Sequence, residues 1–211
     1  MKLLLATRSA DKLREAREIL SGVEGLQLVG LDEAGIPERA EEASIEAFDT
    51  FEENAAAKAR YFLRRSGMLT VADDSGIAVD ALDGRPGVHS KRFAPETRLS
   101  DGSSRDLANN EYLLELLQDV PEPNRTARYV CVLALVEGEG PVSFFRGEVE
   151  GSILGEPRGS GGFGYDPLFY HHELGRTFGE VGREVKGELS HRGVAFRHLH
   201  DHLGTLEEGS R

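Results

Sequence analysis

Asp73 and Asp74 stand side by side in the segment Leu69-Thr70-Val71-Ala72-Asp73-Asp74-Ser75-Gly76, with a second apolar piece, Ile77-Ala78-Val79, directly after it. Adjacent acids in a mostly apolar setting are costly unless a cation or hydrogen bonds compensate them. Carboxylates of this kind suit magnesium, which binds a few carboxylates plus substrate phosphates. One carboxylate then holds metal while the other orients or deprotonates water. The alternative is an Asx-type turn whose side chains bond local N–H groups.

Four other segments carry donors of the right type for an anionic ligand. Thr7-Arg8-Ser9-Ala10-Asp11-Lys12 joins an apolar strand to a helix. A helix N-terminus offers free N–H groups and partial positive charge, to which two hydroxyls and Lys12 add. Simple helix capping is the alternative, and the spacing is not that of a P-loop. Asn54 and Lys58 are four apart and share a helix face, either for phosphate oxygens or as a solvated face. Gly159-Ser160-Gly161-Gly162-Phe163-Gly164-Tyr165-Asp166-Pro167 contains Gly-x-Gly-x-x-Gly but runs into Tyr-Asp-Pro, so no dinucleotide-binding helix opens there. Its aromatics either stack a base or tuck into the core. Lys186 and Ser190-His191-Arg192-Gly193 place donors at a helix start, suited to an acceptor-rich base edge or a phosphate. His198 and His202 are also four apart, but without an acidic partner in a zinc motif they are not read as a metal pair.

The elements that must position these groups follow from periodicity and capping. Residues 2–6 read as a buried strand, followed by a helix with Leu13, Ala16, Ile19 and Leu20 on one side. Residues 26–29 read as a second strand and 32–45 as an acidic loop. Thr50-Phe51-Glu52-Glu53 has capping-box form, and Phe51, Ala55, Ala59 and Phe62 then step along one face until Gly67. Residues 83–104, with Gly84, Pro86, Gly87, Pro95 and Gly102, are loop-rich, and 105–118 form an amphipathic helix. Residues 127–136 and 142–149 read as neighbouring strands. Residues 151–166 are glycine-rich. Ser190 can cap a last helix carrying Ala195, Leu199 and Leu203, and the tail 205–211 is expected to fray. No linker divides the chain, so residues 1–211 read as a single α/β domain.

Composition narrows the partners. With 25 basic and 37 acidic residues the net charge is −12, which argues against a nucleic acid polymer held by phosphate contacts. It leaves open a small anion met by a few local cations and a metal. No apolar run approaches the ~20 residues of a membrane span, and Leu3–Ala6 is too short for a signal-peptide core. The one cysteine, Cys131, lies in an apolar run and reads as a buried structural thiol, consistent with a reducing cytoplasm.

In order, Ala6-Thr7-x-Ser9-x-x-Lys12, Thr50-Phe51-x-Glu53-Asn54-Ala55-x-x-Lys58-Ala59, Ala72-Asp73-Asp74-Ser75-Gly76-x-x-Val79-Asp80-Ala81-Leu82, Gly84-x-Pro86-Gly87-Val88-x-Ser90, Gly161-Gly162-Phe163-Gly164-Tyr165-Asp166-Pro167 and Ser190-His191-Arg192-Gly193 form a string. It resembles the inosine triphosphate pyrophosphatase (XTP/dITP diphosphatase) family over roughly residues 3–200. The resemblance implies an α/β fold with an elongated, twisted mixed sheet flanked by helices, two lobes around a central substrate cleft, and a homodimer. It implies magnesium-dependent hydrolysis of ITP, dITP and XTP to the monophosphate and pyrophosphate. Carried over by position, Thr7, Arg8, Ser9 and Lys12 would cradle phosphates, with Asn54 beside them. Asp74 would be base and metal ligand, Lys58 would neutralise phosphate charge, and Asp73 and Glu46 would support the metal. Ser75 would touch substrate, and Phe163, Gly164, Tyr165, Asp166, Lys186, His191 and Arg192 would hold base and sugar. The chain departs from the family pattern at Arg8 and Ser9, where Gly and Asn are usual. It departs again at Glu46-Ala47-Phe48-Asp49-Thr50-Phe51, where the family reads Glu-Thr-Gly-x-Thr-Phe. Glu41 and Glu42 are nearby alternatives to Glu46. Rival readings are a pyrophosphatase for other modified nucleotides and a non-catalytic nucleotide-binding module.

Overall fold

A computed structural model describes residues 1–99 and 104–208. Seven strands pair in the order β2-β1-β3-β4-β5-β6-β7. They are β1 (Lys2–Leu5), β2 (Gln27–Gly30), β3 (Thr70–Val79), β4 (Thr126–Val136), β5 (Ser143–Ile153), β6 (Phe169–His171) and β7 (Arg176–Thr177). The helices are α1 (Ala10–Leu20), α2 (Phe51–Ser66), α3 (Arg105–Leu116), α4 (Arg183–Leu189) and α5 (His191–Glu208). β1 pairs in parallel with both β2 and β3, whereas β5-β6-β7 are antiparallel, so the sheet is mixed as the family resemblance implied.

The chain divides into two units. The first comprises Met1–Asp74, Cys131–Gly147 and His191–Arg211. Its core gathers Leu3 and Leu5 of β1, Ala16 and Leu20 of α1, Val71, Cys131 and Leu133 of the central strands, and Phe196, Leu199 and Leu203 of α5. Burial of this apolar area, worth ~25 cal/mol per Å², is what fixes α1 and α5 on the strands. Cys131 is inside this core, as read from its apolar run, and burial pushes its thiol up to about 12. Gly147 is required where β5 meets the start of α5, because a Cβ there would lie 2.1 Å from the His191 carbonyl oxygen.

The second unit comprises Ser75–Val130 and Glu148–Ser190. Its core is aromatic: Tyr129, Phe169 and Phe178 pack with centroids 4.6–6.1 Å apart, beside Ile77, Leu113, Leu117 and Tyr165.

Local signals placed several elements well. Ser9 caps α1 by accepting from the Lys12 amide. Thr50 caps α2, its hydroxyl oxygen accepting from the Glu53 amide and its O–H donating to the Glu53 carboxylate. Gly67 ends α2 in the left-handed region at φ +67°. The structure differs elsewhere. Residues 70–79 are one uninterrupted strand rather than two apolar pieces around a turn, because the segment is ten residues of mostly buried sheet. Lys186 lies inside the separate short helix α4, not at the start of α5. The expected tail begins within α5, which runs to Glu208; residues 209–211, like Gly102, lie outside the described residues. Among the described residues no helix is long and apolar enough to cross a membrane.

Candidate active site

In the first unit α1, the Glu46 loop, α2, β3 and α5 bring charges together from distant points of the chain. β3 carries Asp73 and Asp74, 2% and 8% exposed. From α1, the Lys12 ammonium donates to Asp73 Oδ2 at 2.6 Å. From α2, Lys58 Nζ donates to Glu46 Oε1. Arg192, 2% exposed at the start of α5, donates from Nη1 to Glu15 Oε2 at 3.0 Å and has its Nε 4.0 Å from Asp73 Oδ2.

The electrostatics of the two aspartates diverge. Burial alone raises the pKa of Asp73, but Lys12, Lys58 and Arg192 outweigh it and hold the carboxyl far below its usual range. Asp74 is raised to about 6, chiefly by burial, with Glu46 and Asp73 adding repulsion against the attraction of Lys58 and the Asn54 hydrogen bond. Adjacent acids pushed apart in this way take different roles, one permanently ionised and one able to exchange a proton near neutrality. Burial works against the charge on Lys58, yet Asp73 and Glu46 keep its pKa above the ordinary lysine value. Glu46 is lowered because the Lys58 ammonium overcomes its partial burial.

Asn54 is 2% exposed, so the α2 face it shares with Lys58 is not a solvated one. Its amide oxygen accepts from Phe48 N at 2.9 Å, and its NH₂ donates to Phe48 O at 3.2 Å and to Asp74 Oδ2 at 3.0 Å. That set commits both amide protons to protein groups, so Asn54 orients Asp74 and the residue 48 loop.

At the β1–α1 junction, Thr7 Oγ1 accepts from Ser9 N at 3.2 Å and Ser9 Oγ from Lys12 N at 3.4 Å. Arg8 instead reaches Glu42, with Nη2 2.9 Å from Oε1, and the Ile36 carbonyl at 2.9 Å. Glu42 also receives Arg65 at 2.9 Å, and Glu41 receives the Tyr61 hydroxyl at 2.9 Å. These partners take up the two glutamates considered as alternatives to Glu46, and Glu46 alone of the three faces Lys58.

A divalent ion would find suitable donors here. Asp73 Oδ1 is buried with no hydrogen-bond partner among the described residues. The available donors are carboxylate oxygens, which suit a hard cation. Among the described residues no three His, Cys, Asp or Glu side chains form a metal cluster, and Lys12 and Lys58 pair with Asp73 and Glu46. A cation that binds one or two carboxylates and completes its shell with phosphate oxygens and water does not need such a cluster, so the residues fit.

In the second unit a separate cluster surrounds Asp166, 2% exposed. Its carboxylate accepts from Phe163 N at 2.8 Å, from the Tyr129 hydroxyl at 3.2 Å and from Lys186 Nζ. Gly162 sits at φ +73°, and a Cβ there would come within 2.0 Å of Asp166 Oδ2. The Lys186 ammonium lies 4.4 Å from the centroid of the Phe163 ring, which is 40% exposed. Tyr165, expected beside it as a ligand contact, is 4% exposed and donates its hydroxyl to the Ser90 carbonyl at 2.8 Å. Ser75 follows Asp74 on β3 and is half-buried. His191 opens α5 and is 4% exposed.

Sequence reasoning missed Glu15, the carboxylate that holds Arg192. The signal was available: Glu15 is three residues past Lys12 on α1 and so lies on the same helix side.

Comparison with known proteins agrees over nearly the whole chain. The model of the Ham1 family matches residues 3–202. A dITP/XTP pyrophosphatase of Geobacter sulfurreducens is 45% identical over 203 residues, covering 96% of each chain. One of Thermus thermophilus is 44% identical, covering 94% of this chain and 90% of that one. Among solved structures, a HAM1 protein from Coxiella burnetii superposes with a TM-score of 0.84 at 35% identity, covering 99% of each chain. The Staphylococcus aureus Ham1 protein gives 0.81 at 32% identity and full coverage of both.

Proposed function

The chain belongs to the Ham1 family, and from that premise we propose that it is a hydrolase that converts dITP, ITP and XTP to the nucleoside monophosphate and pyrophosphate. The observation that carries the reading is the split pair on β3: Asp73 held ionised by Lys12, and Asp74 raised to about 6 beside Lys58 and Asn54.

In this reading water attacks the α-phosphorus and Asp74 accepts its proton. A base poised near the working pH gives the best compromise between its ionised fraction and its affinity for the proton. Asn54 fixes the Asp74 carboxylate, and the Lys58 ammonium neutralises charge that grows on the phosphate oxygens. Lys12 and the Thr7–Ser9 turn take the outer phosphates at the start of α1. Magnesium is the proposed cation; one or two of the carboxylates Asp74, Asp73 and Glu46 would hold it beside phosphate oxygens, and when bound it supplies further neutralisation of the triphosphate.

The base is assigned to Phe163 and Lys186, with Asp166 holding both. A purine with a keto group at its six-position offers an acceptor to a lysine donor, whereas adenine offers a donor there and leaves the lysine unpaired. Buried hydrogen-bond sites of this kind discriminate by ~10⁴ or more. The protein is proposed to act in the cytoplasm as a homodimer, the latter checked by sedimentation at working concentration.

The deciding experiment is pyrophosphate release across a nucleotide panel, with and without magnesium. Turnover of dITP, ITP and XTP with little on dATP or ATP is expected; equal rates on ATP would sink the reading.

A further inference from the structure

In the second unit the two peptide planes flanking Gly164 are gripped by one helix. The Gly164 N–H donates to Asp106 Oδ2 at 2.7 Å, and the Gly164 carbonyl accepts from Asn110 Nδ2 at 3.0 Å. Asp106 and Asn110 are four apart on α3, so both rise from one face. Gly164 itself is left-handed, at φ +63°, and no atom would crowd a Cβ there, so its immediate surroundings do not confine it. A glycine-rich turn without such restraints samples many conformers.

The side-chain anchors of this loop other than α3 act on either side of Gly164. Asp166 holds the Phe163 amide and Ser90 holds the Tyr165 hydroxyl. The peptides between them set where the exposed Phe163 ring points relative to the buried Tyr165 ring; α3 holds them at the Gly164 N–H and carbonyl, adding to the turn that the Asp166 amide closes on the Phe163 carbonyl at 3.3 Å. Asn110 does this while its own Oδ1 is buried with no hydrogen-bond partner among the described residues. A buried acceptor left unsatisfied costs stability, and Asn110 bears that cost while its amide NH₂ holds the Gly164 carbonyl.

We propose that Asp106 and Asn110 are positioning residues for purine selectivity: by clamping Gly164 from both sides they hold the Phe163 ring in the orientation that receives the base. The inference rests on the reading of Phe163 as a base contact and adds the helix that sets it.

The test uses the full-length protein with Asn110→Leu, Asp106→Ala, the double variant and a Phe163→Ala control. Hydrogen exchange reads the loop directly and needs no substrate. Amide exchange across residues 160–165 should accelerate about tenfold or more in the α3 variants, with melting temperature little changed. In kinetics, KM for dITP should rise roughly tenfold while kcat changes little, the mark of lost binding rather than lost chemistry. The ratio of kcat/KM for dITP over dATP should fall by a similar factor. Inhibition by pyrophosphate, which has no base, should stay at the wild-type value.

If Phe163→Ala lowers the ratio and the α3 variants leave it unchanged, the clamp is overturned and the base assignment stands. If Phe163→Ala also leaves the ratio unchanged, the base assignment itself falls, and the selectivity role of Asp106 and Asn110 falls with it. An equal loss toward dITP and dATP in the α3 variants would mark a merely structural role and overturn the proposal.

Discussion

Two clusters of buried charge among the described residues are built on opposite plans. In the first unit Asp73, Asp74, Glu46, Lys12 and Lys58 come from four segments, and each feels several others. Their charges are shared, and the aspartates end with divided proton affinities. In the second unit, among the described residues, the Asp166 carboxylate faces Lys186, the Phe163 amide and the Tyr129 hydroxyl. The first arrangement can move a proton and accept a cation. The second fixes a loop and an aromatic ring. A shared network suits chemistry, whereas a closed ion pair suits recognition, where geometry must not vary.

The sharpest way to break this contrast is Asp74→Asn. Turnover of dITP should fall by ~10³-fold or more, as expected when a general base is lost, while nucleotide binding measured by calorimetry is retained. The same substitution should stabilise the fold at neutral pH. Asp74 binds its proton more tightly folded than unfolded, so its favourable contribution exists below about 3.8 and is lost as pH rises through about 6. Removing the charge relieves a cost on the order of 2 kcal/mol at pH 7 in urea unfolding. Asp73 has the opposite sign: its lowered pKa gives stability that is present above the ordinary aspartate value and lost in acid.

In the second unit Lys186→Met should be costly for folding instead. It leaves Asp166 buried without its cation, a loss of about 3–5 kcal/mol in denaturant unfolding. Lys186→Met with Asp166→Leu should recover part of that, because no lone charge remains. If the single variant were as stable as wild type, the pair would not be a closed structural unit.

A smaller effect is expected from Asn54→Ala. Asp74 would keep its charge but lose its orienting donor, so kcat should fall roughly tenfold with KM nearly constant. The pH profile gives a finer test still. Wild-type kcat/KM should decline as pH drops below about 6, with the midpoint set by Asp74. Added divalent cation should move that midpoint down, since a nearby positive charge favours the ionised form. The smallest effect should be at Cys131: buried and pushed up to about 12, it should resist thiol reagents until the chain is unfolded.

Much of this was legible before any coordinates. Ser9, Thr50 and Gly67 announced the ends of α1 and α2 because capping is decided within three or four residues. The apolar run around Cys131 announced a buried strand in the same way. The order of the motifs pointed to the Ham1 relatives over nearly the whole length. What local pattern could not supply were partners across the chain. Arg8 looked like a phosphate ligand beside Thr7, yet it turns to Glu42, 34 residues away. Phe163 and Tyr165 looked equivalent, but one ring is exposed and the other is buried under Ser90.

Near neighbours along the chain were enough to say which residue types are available for the chemistry and which helices present them. That Lys12 meets Asp73 across 61 residues, and that the Asn54 amide is spent on Asp74, emerged from the folded chain. The physical reason is that a pKa and a hydrogen bond depend on burial and on the nearest charge in space. Both are set by which strands lie side by side, not by spacing along the chain.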